Sequence, residues 1–309
     1  NGKMLETIEE IQRTMEKAQY ITDRPTATVL YLSMKLGKPI LVEGEAGVGK
    51  TEIAKVLAQV LDTRLIRLQC YEGLDVSAAL YEWNYPKQIL WMKQAEICEV
   101  PRETVGQQIF SPEFLIRRPL LEAIQNDSRK PVVLLIDEID RSDEEFEAFL
   151  LEVLSDFQIT IPEIGTIRAK QRPYVILTSN RTRELHDALK RRCLYHWIDY
   201  PSFEKEKRIV LAKVPGVAEA LVNQVCSFMQ KVRKKEFYKR PGIAETLDWV
   251  MALMALGKEE LDVQAVRETM GCIVKYYEDL KQLGDSGMED LLSGLPLKEG
   301  PACGRIPCA

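Results

Sequence analysis

The stretch Gly44 to Thr51, GEAGVGKT, constrains this chain more than any other, because it follows the apolar run Pro39-Ile40-Leu41-Val42 and fits G-x-x-x-x-G-K-[ST]. Glycines at these positions let successive backbone N–H groups turn inward around an anion. A helix beginning at the end of the loop adds the positive end of its dipole. Lys50 is placed to reach β- and γ-phosphates and the Thr51 hydroxyl to hold Mg²⁺. Chance alone yields these four fixed positions in roughly one chain in a hundred of this length. The context narrows it further: Ile53, Val56, Leu57, Val60 and Leu61 fall on one face of a following helix. Gly44, Glu45, Ala46, Gly47, Val48, Gly49, Lys50 and Thr51, with Glu52 in the first helical turn, form the candidate phosphate-binding set. A glycine-rich turn with no ligand is the plain structural alternative.

Four further apolar segments read as buried strands: Arg64–Cys70, Pro131–Ile136, Tyr174–Thr178 and Leu194–Ile198. Helical patterns separate most of the five. This alternation predicts an α/β fold, a parallel sheet covered on both faces, with ligands at its carboxyl edge. Two stretches interrupt it. Residues 71–111 carry the aromatic cluster YEWNYPKQILW and a helical run, and residues 157–172 read as a β-hairpin turning at Gly165. From Phe203 to about Leu283 only helical periodicity remains, punctuated by Pro215-Gly216, Pro241-Gly242 and Gly257. The expected division is an α/β nucleotide-binding domain over 1–200, a small helical domain over 201–292 and a disordered tail over 293–309.

The chain has 309 residues, a net charge of −5 and a pI near 5.5. That balance argues against a protein built to coat nucleic acid. No apolar run approaches a membrane span, and the amphipathic N-terminus lacks the apolar core of a signal peptide. Seven scattered cysteines fit reduced thiols and a cytoplasmic location. Cys303 and Cys308 share the short segment GPACGRIPCA, which reads either as a metal or redox pair or as disordered tail.

Three more segments bear chemistry. VVLLIDEID, Val132 to Asp140, is a buried strand running into two carboxylates. Asp137 is suited to hold Mg²⁺ through its water shell, and Glu138 to polarise an attacking water. YVILTSN ends in Asn180, either a hydrogen-bond partner for the γ-phosphate or lytic water or a turn-forming amide. Arg191 and Arg192 close a short basic helix, where they either stabilise phosphoryl charge from a neighbouring subunit or complement a helix dipole. His186 and His196, the only histidines, read as structural. The run Lys231 to Lys235, KVRKK, reads as a solvated face.

Together these segments resemble the AAA+ ATPases. GEAGVGKT looks like Walker A, LLIDE like Walker B, Asn180 like sensor 1 and Arg191-Arg192 like the arginine-finger site, Arg192 being the better match. The resemblance covers about Met4 to Leu292. It implies a P-loop AAA+ parallel five-stranded sheet with flanking helices and a helical lid. The long insert and the hairpin look like the helix-2-insert group. LQCYEGLDVSAALYEWNYP and DEIDRSDEEFEAFLLEVLSDFQITIPEIGTI are similar to MoxR-type members, nearest the CoxD-like ones. The resemblance also implies Mg-dependent ATP hydrolysis in a ring, usually hexameric, with a von Willebrand factor A-domain partner and a protein client such as a maturing metalloenzyme. Many lids of this group place an arginine at the start of a helix. Here Arg240 precedes Pro241, while Glu245 stands where a MoxR arginine would fall. Arg141 reads as a cross-interface residue or a surface ion pair, and Trp83, Tyr85 and Trp91 as a client-gripping surface or as packing. A nucleic-acid motor and a P-loop small-molecule kinase are the competing classes.

Overall fold

A computed structural model describes residues 5–281 and 291–293. Two compact units emerge. One gathers 5–18, 22–44 and 50–197; the other gathers 19–21, 45–49, 198–281 and 291–293. Cys303 and Cys308 lie outside the described residues. Among those described, no helix is long and apolar enough to cross a membrane.

In the first unit, α1 (Ile8–Lys17) and α2 (Arg24–Leu36) precede β1 (Ile40–Gly44), α3 (Lys50–Val60) and β2 (Leu65–Gln69). The 71–111 region folds as α4 (Val76–Leu80), β3 (Tyr81–Trp83), α5 (Tyr85–Ile97) and α6 (Arg102–Gln108), and is followed by β4 (Leu115–Arg117) and α7 (Pro119–Ile124). Then come β5 (Val133–Asp137), α8 (Glu144–Asp156), β6 (Gln158–Ile161), β7 (Gly165–Arg168), β8 (Tyr174–Ser179), α9 (Asp187–Arg192) and β9 (Leu194–Ile198).

The five expected strands make one sheet in the order β2-β5-β8-β1-β9. All residues of β1 and β5 are buried, as parallel strands covered on both faces require. Register sets which residues share the carboxyl edge. Glu43 pairs with Ser179, Ile136 with Leu177 and Gln69 with Asp137, all in parallel ladders. Because β8 runs between β5 and β1, Asn180 follows the strand that lies between those two.

The hairpin forms as β6 and β7, with Thr160 opposite Thr166 and Gly165 at φ +98°. The antiparallel pair β3–β4 was not legible from sequence: three-residue strands show no periodicity. It closes the insert by pairing Tyr81 with Arg117. Trp83 is buried and stacks edge-on against Phe110, and Trp91 packs against Phe114, so both pack within the insert; Tyr85 is 60% exposed.

The second unit is helical: α10 (Phe203–Lys213), α11 (Glu219–Val232), α12 (Ile243–Ala255) and α13 (Val263–Thr269). Val210, Leu221, Val225, Phe228, Trp249, Val250, Leu253 and Val266 form its core. The KVRKK run is not a solvated face. Val232 and Arg233 are buried, and Arg233 makes a two-pronged ion pair with the fully buried Glu206, at 2.6 and 2.7 Å. Thr246 Oγ1 and Gln230 Nε2 also donate to that carboxylate, so α10, α11 and α12 meet at one anion. Arg233 Nε donates to Pro241 O at 2.8 Å and Nη2 to Gly242 O at 3.2 Å, fixing the start of α12.

Removing one partner of a buried ion pair leaves the other charge uncompensated, which costs about 3–5 kcal/mol. Glu206→Ala is therefore expected to lower the urea midpoint of the helical unit sharply, followed by Trp249 fluorescence. The double variant Glu206→Met with Arg233→Met is expected to lose less than Glu206→Ala alone.

Candidate active site

Residues 45–49 join β1 to α3. Gly47 and Gly49 sit at φ +76° and +95°, values that turn the backbone where a side chain would be strained. Lys50 is buried, and its Nζ donates to Gly44 O at 2.8 Å, folding the ammonium back to the end of β1. Segment 45–49 belongs with the helical unit. There, the N–H groups of Ile243 and Ala244, at the first turn of α12, donate to Gly47 O at 2.9 and 3.3 Å. Gly242 packs so closely that a Cβ on it would lie 2.6 Å from Gly47 O. Glu245 caps its own helix, accepting from Gly242 N at 2.8 Å, and its carboxylate would meet a Cβ on Gly47 at 3.0 Å.

The carboxylate of Asp137 is almost completely enclosed. Thr51 Oγ1 donates to Oδ1 at 2.9 Å and Thr178 Oγ1 to the same oxygen at 2.5 Å. Arg67 donates to Oδ2 from Nε at 3.0 Å and Nη2 at 2.5 Å. The first turn of α3, β5, β8 and β2 are thus joined on one side chain. Glu138 follows in a left-handed conformation, φ 55°, with its N–H held by Thr178 Oγ1 at 2.9 Å. Its carboxylate pairs with Arg141 at 3.3 Å, so Arg141 forms a local ion pair here. The hydroxyl and carboxylate oxygens of Thr51 and Asp137 are the hard donors that suit Mg²⁺ with water and phosphate as further ligands.

Asn180 is half-buried at the end of β8. Its backbone N–H donates to Asp140 Oδ2 at 3.2 Å, and the same oxygen accepts from Thr182 N at 2.8 Å and Thr182 Oγ1 at 2.7 Å. Asp140 is 2% exposed and acts as the peg on which the loop after β8 hangs. Sequence reasoning passed over it; the available signal was a third carboxylate two residues beyond Glu138. Arg191 and Arg192 are both exposed on α9, and Arg192 hydrogen-bonds Ser155 at the last turn of α8. Arg240 is exposed, and its carbonyl accepts from Tyr200 O–H at 3.4 Å. His186 caps α9 through Nδ1, and His196 Nε2 meets Thr26 Oγ1 at 2.9 Å.

The acidic cluster leaves its mark on neighbours. Burial first, then the carboxylates of Asp137, Asp140 and Glu138, push the Cys70 thiol up to about 12, so it remains protonated and inert. In the helical unit, burial and then the Glu45 carboxylate push the Tyr200 phenol up to about 12.

Residues 39–193 match the family model of the AAA domain, dynein-related subfamily, over half of the chain. The chain belongs to this AAA family. It is an ATPase of the nucleotide-binding AAA type. Among its relatives is an uncharacterized protein of Staphylococcus aureus (strain USA300), 27% identical over 72% of this chain and 77% of that protein. Another, of Staphylococcus haemolyticus (strain JCSC1435), is also 27% identical, over 78% and 86%. Among solved structures, the Thermotoga maritima RuvB Holliday junction branch migration motor aligns over 94% of this chain and 85% of that one, with 15% identity and a TM-score of 0.45.

Gly242→Ala would force the new methyl into the backbone of Gly47, and overpacking of this kind costs about 1–3 kcal/mol. A loss of nucleotide affinity of roughly tenfold is expected in a fluorescent-nucleotide titration. Gly271→Ala, where nothing lies within 4 Å of the added carbon, is the control expected to bind normally.

Proposed function

We propose that this ATPase is a MoxR-type member of the helix-2-insert group, nearest the CoxD-like branch, and that it remodels or matures a protein client as a ring, with a von Willebrand factor A-domain protein as partner. The observation that carries the reading is the convergence of Thr51 and Thr178 on the Asp137 carboxylate, with Glu138 next in the chain and Asn180 following the neighbouring strand β8. In this reading the loop residues Gly44 to Thr51, with Glu52, bind ATP, and Thr51 and Asp137 hold Mg²⁺. Held by these two residues, Mg²⁺ would supply positive charge to offset that of the phosphates. Glu138 takes a proton from the attacking water, and the Asn180 amide orients that water against the γ-phosphate.

Arg192, with Arg191 beside it, serves a neighbouring subunit's nucleotide. Exposure of both at the last turn of α9 supports this role. Arg240 is assigned to the nucleotide only through the resemblance. A protein client is favoured over nucleic acid by the net charge of −5 and by apolar exposure along the insert. Tyr85, Ile89, Leu90 and Ile97 of α5 are 60%, 49%, 69% and 82% exposed, as at protein–protein contact surfaces. Trp83 and Trp91 are spent on packing, so client contact falls to these α5 residues.

Glu138→Gln is expected to bind ATP with near-normal affinity and to lose turnover by about 10²-fold or more, measured as phosphate release. Unchanged hydrolysis would remove Glu138 from the mechanism. Arg192→Ala is also expected to be inactive. Mixing it with Lys50→Ala subunits is expected to restore part of the activity, because an intact site then forms wherever a good loop meets a good finger. No recovery at any ratio would rule out action between subunits. DNA-stimulated hydrolysis that fades with added salt would move the assignment to a nucleic-acid motor.

A further inference from the structure

Asp137 already has every acceptor position filled. An ionised carboxylate offers about four lone-pair sites. Here Thr51 and Thr178 occupy those of Oδ1, and the two guanidinium nitrogens of Arg67 occupy those of Oδ2. A hydrated divalent cation beside Thr51 needs at least one of these sites to receive its water protons. One donor must therefore leave.

The three donors differ in freedom. Thr178 is 1% exposed, lies within β8, and its oxygen also accepts the Glu138 N–H, so it is fixed. Thr51 can turn its oxygen toward a cation and keep its proton on Asp137. The Arg67 side chain is 49% exposed and reaches the carboxylate from the neighbouring strand β2. It also has somewhere to go: Nη2 already donates to Gln69 Oε1 at 2.5 Å.

We infer that Arg67 is an internal stand-in for the metal. It neutralises the enclosed Asp137 when no divalent ion is bound, and exchanges for the hydrated ion when nucleotide brings it in, remaining attached to Gln69. The inference rests on the proposed Mg²⁺ role of Thr51 and Asp137. It assigns Arg67 a positioning role: Arg67 sets how much divalent ion the site requires, and touches neither water nor phosphate in the reaction. An unpaired buried carboxylate is costly, so the guanidinium keeps the site folded between turnovers. The same pairing raises the metal concentration at which the site fills.

The test uses the purified chain with Mn²⁺ as probe, followed by electron paramagnetic resonance in saturating ADP. Arg67→Gln is expected to lower the Mn²⁺ half-saturation about three- to tenfold, the worth of one partly exposed ion pair, with Arg67→Lys between it and the parent. Fluorescent-nucleotide binding in EDTA is expected to stay within about twofold for all three. An unchanged or raised half-saturation in Arg67→Gln overturns the exchange. Because Arg67→Gln could perturb folding, the unmodified chain gives a second readout. Its Arg67 Nε–H resonance is expected to be slow to exchange with ADP in EDTA and to shift and lose protection when Mg²⁺ is added. A resonance indifferent to Mg²⁺ overturns the exchange as well. A parent chain that binds nucleotide in EDTA but no Mn²⁺ defeats the metal assignment to Thr51 and Asp137 and the exchange with it. One that binds no nucleotide at all defeats the nucleotide reading and both.

Discussion

The hydrogen bonds that Thr51 and Thr178 give to Asp137 are the joint on which the site depends. Together they tie three elements: the first turn of α3, the end of β8 and the end of β5. Charge-assisted hydrogen bonds of this kind are short and roughly twice as strong as neutral ones. They hold three chain segments in a fixed relation that no loop could maintain by itself. Glu138 inherits its position from the joint, because its N–H rests on the same Thr178 oxygen. Asn180 inherits its own from the next carboxylate along, Asp140, which holds the loop after β8 by three hydrogen bonds.

A second chain of contacts runs through the helical unit. Glu206 anchors Arg233, Arg233 grips the carbonyls of Pro241 and Gly242, and the next N–H groups reach the Gly47 carbonyl. A buried ion pair by itself is weak grounds for stability. Its use here is geometric, since it defines where α12 begins. The first free N–H groups of that helix, which would otherwise need a cap or water, are satisfied by the phosphate-loop backbone.

Much of this was legible in the sequence, for physical reasons that can be named. The continuous apolar runs of β1, β5 and β8 admit few alternatives to a buried parallel sheet, and each ends in the residue that matters: Gly44, Asp137, and Ser179 before Asn180. Arg67 was invisible because its meaning lies in register: Gln69 stands opposite Asp137, which turns Arg67 toward the carboxylate. Arg233 was misread because a local run of positive charge resembles a wetted face, while its partner Glu206 lies on another helix. The pair β3–β4 escaped because strands this short carry no pattern.

The register of β8 also limits where this chain can tolerate changes in length. A one-residue slip would put Leu177 or Ser179 where the Thr178 hydroxyl now meets Asp137, because side chains alternate faces along a strand. Insertions and deletions must therefore be absorbed ahead of Tyr174, in the turn at Gly165 or in the residues between Arg168 and Tyr174. The hairpin can lengthen, shorten or be re-sculpted for a new contact surface while the catalytic edge keeps its spacing.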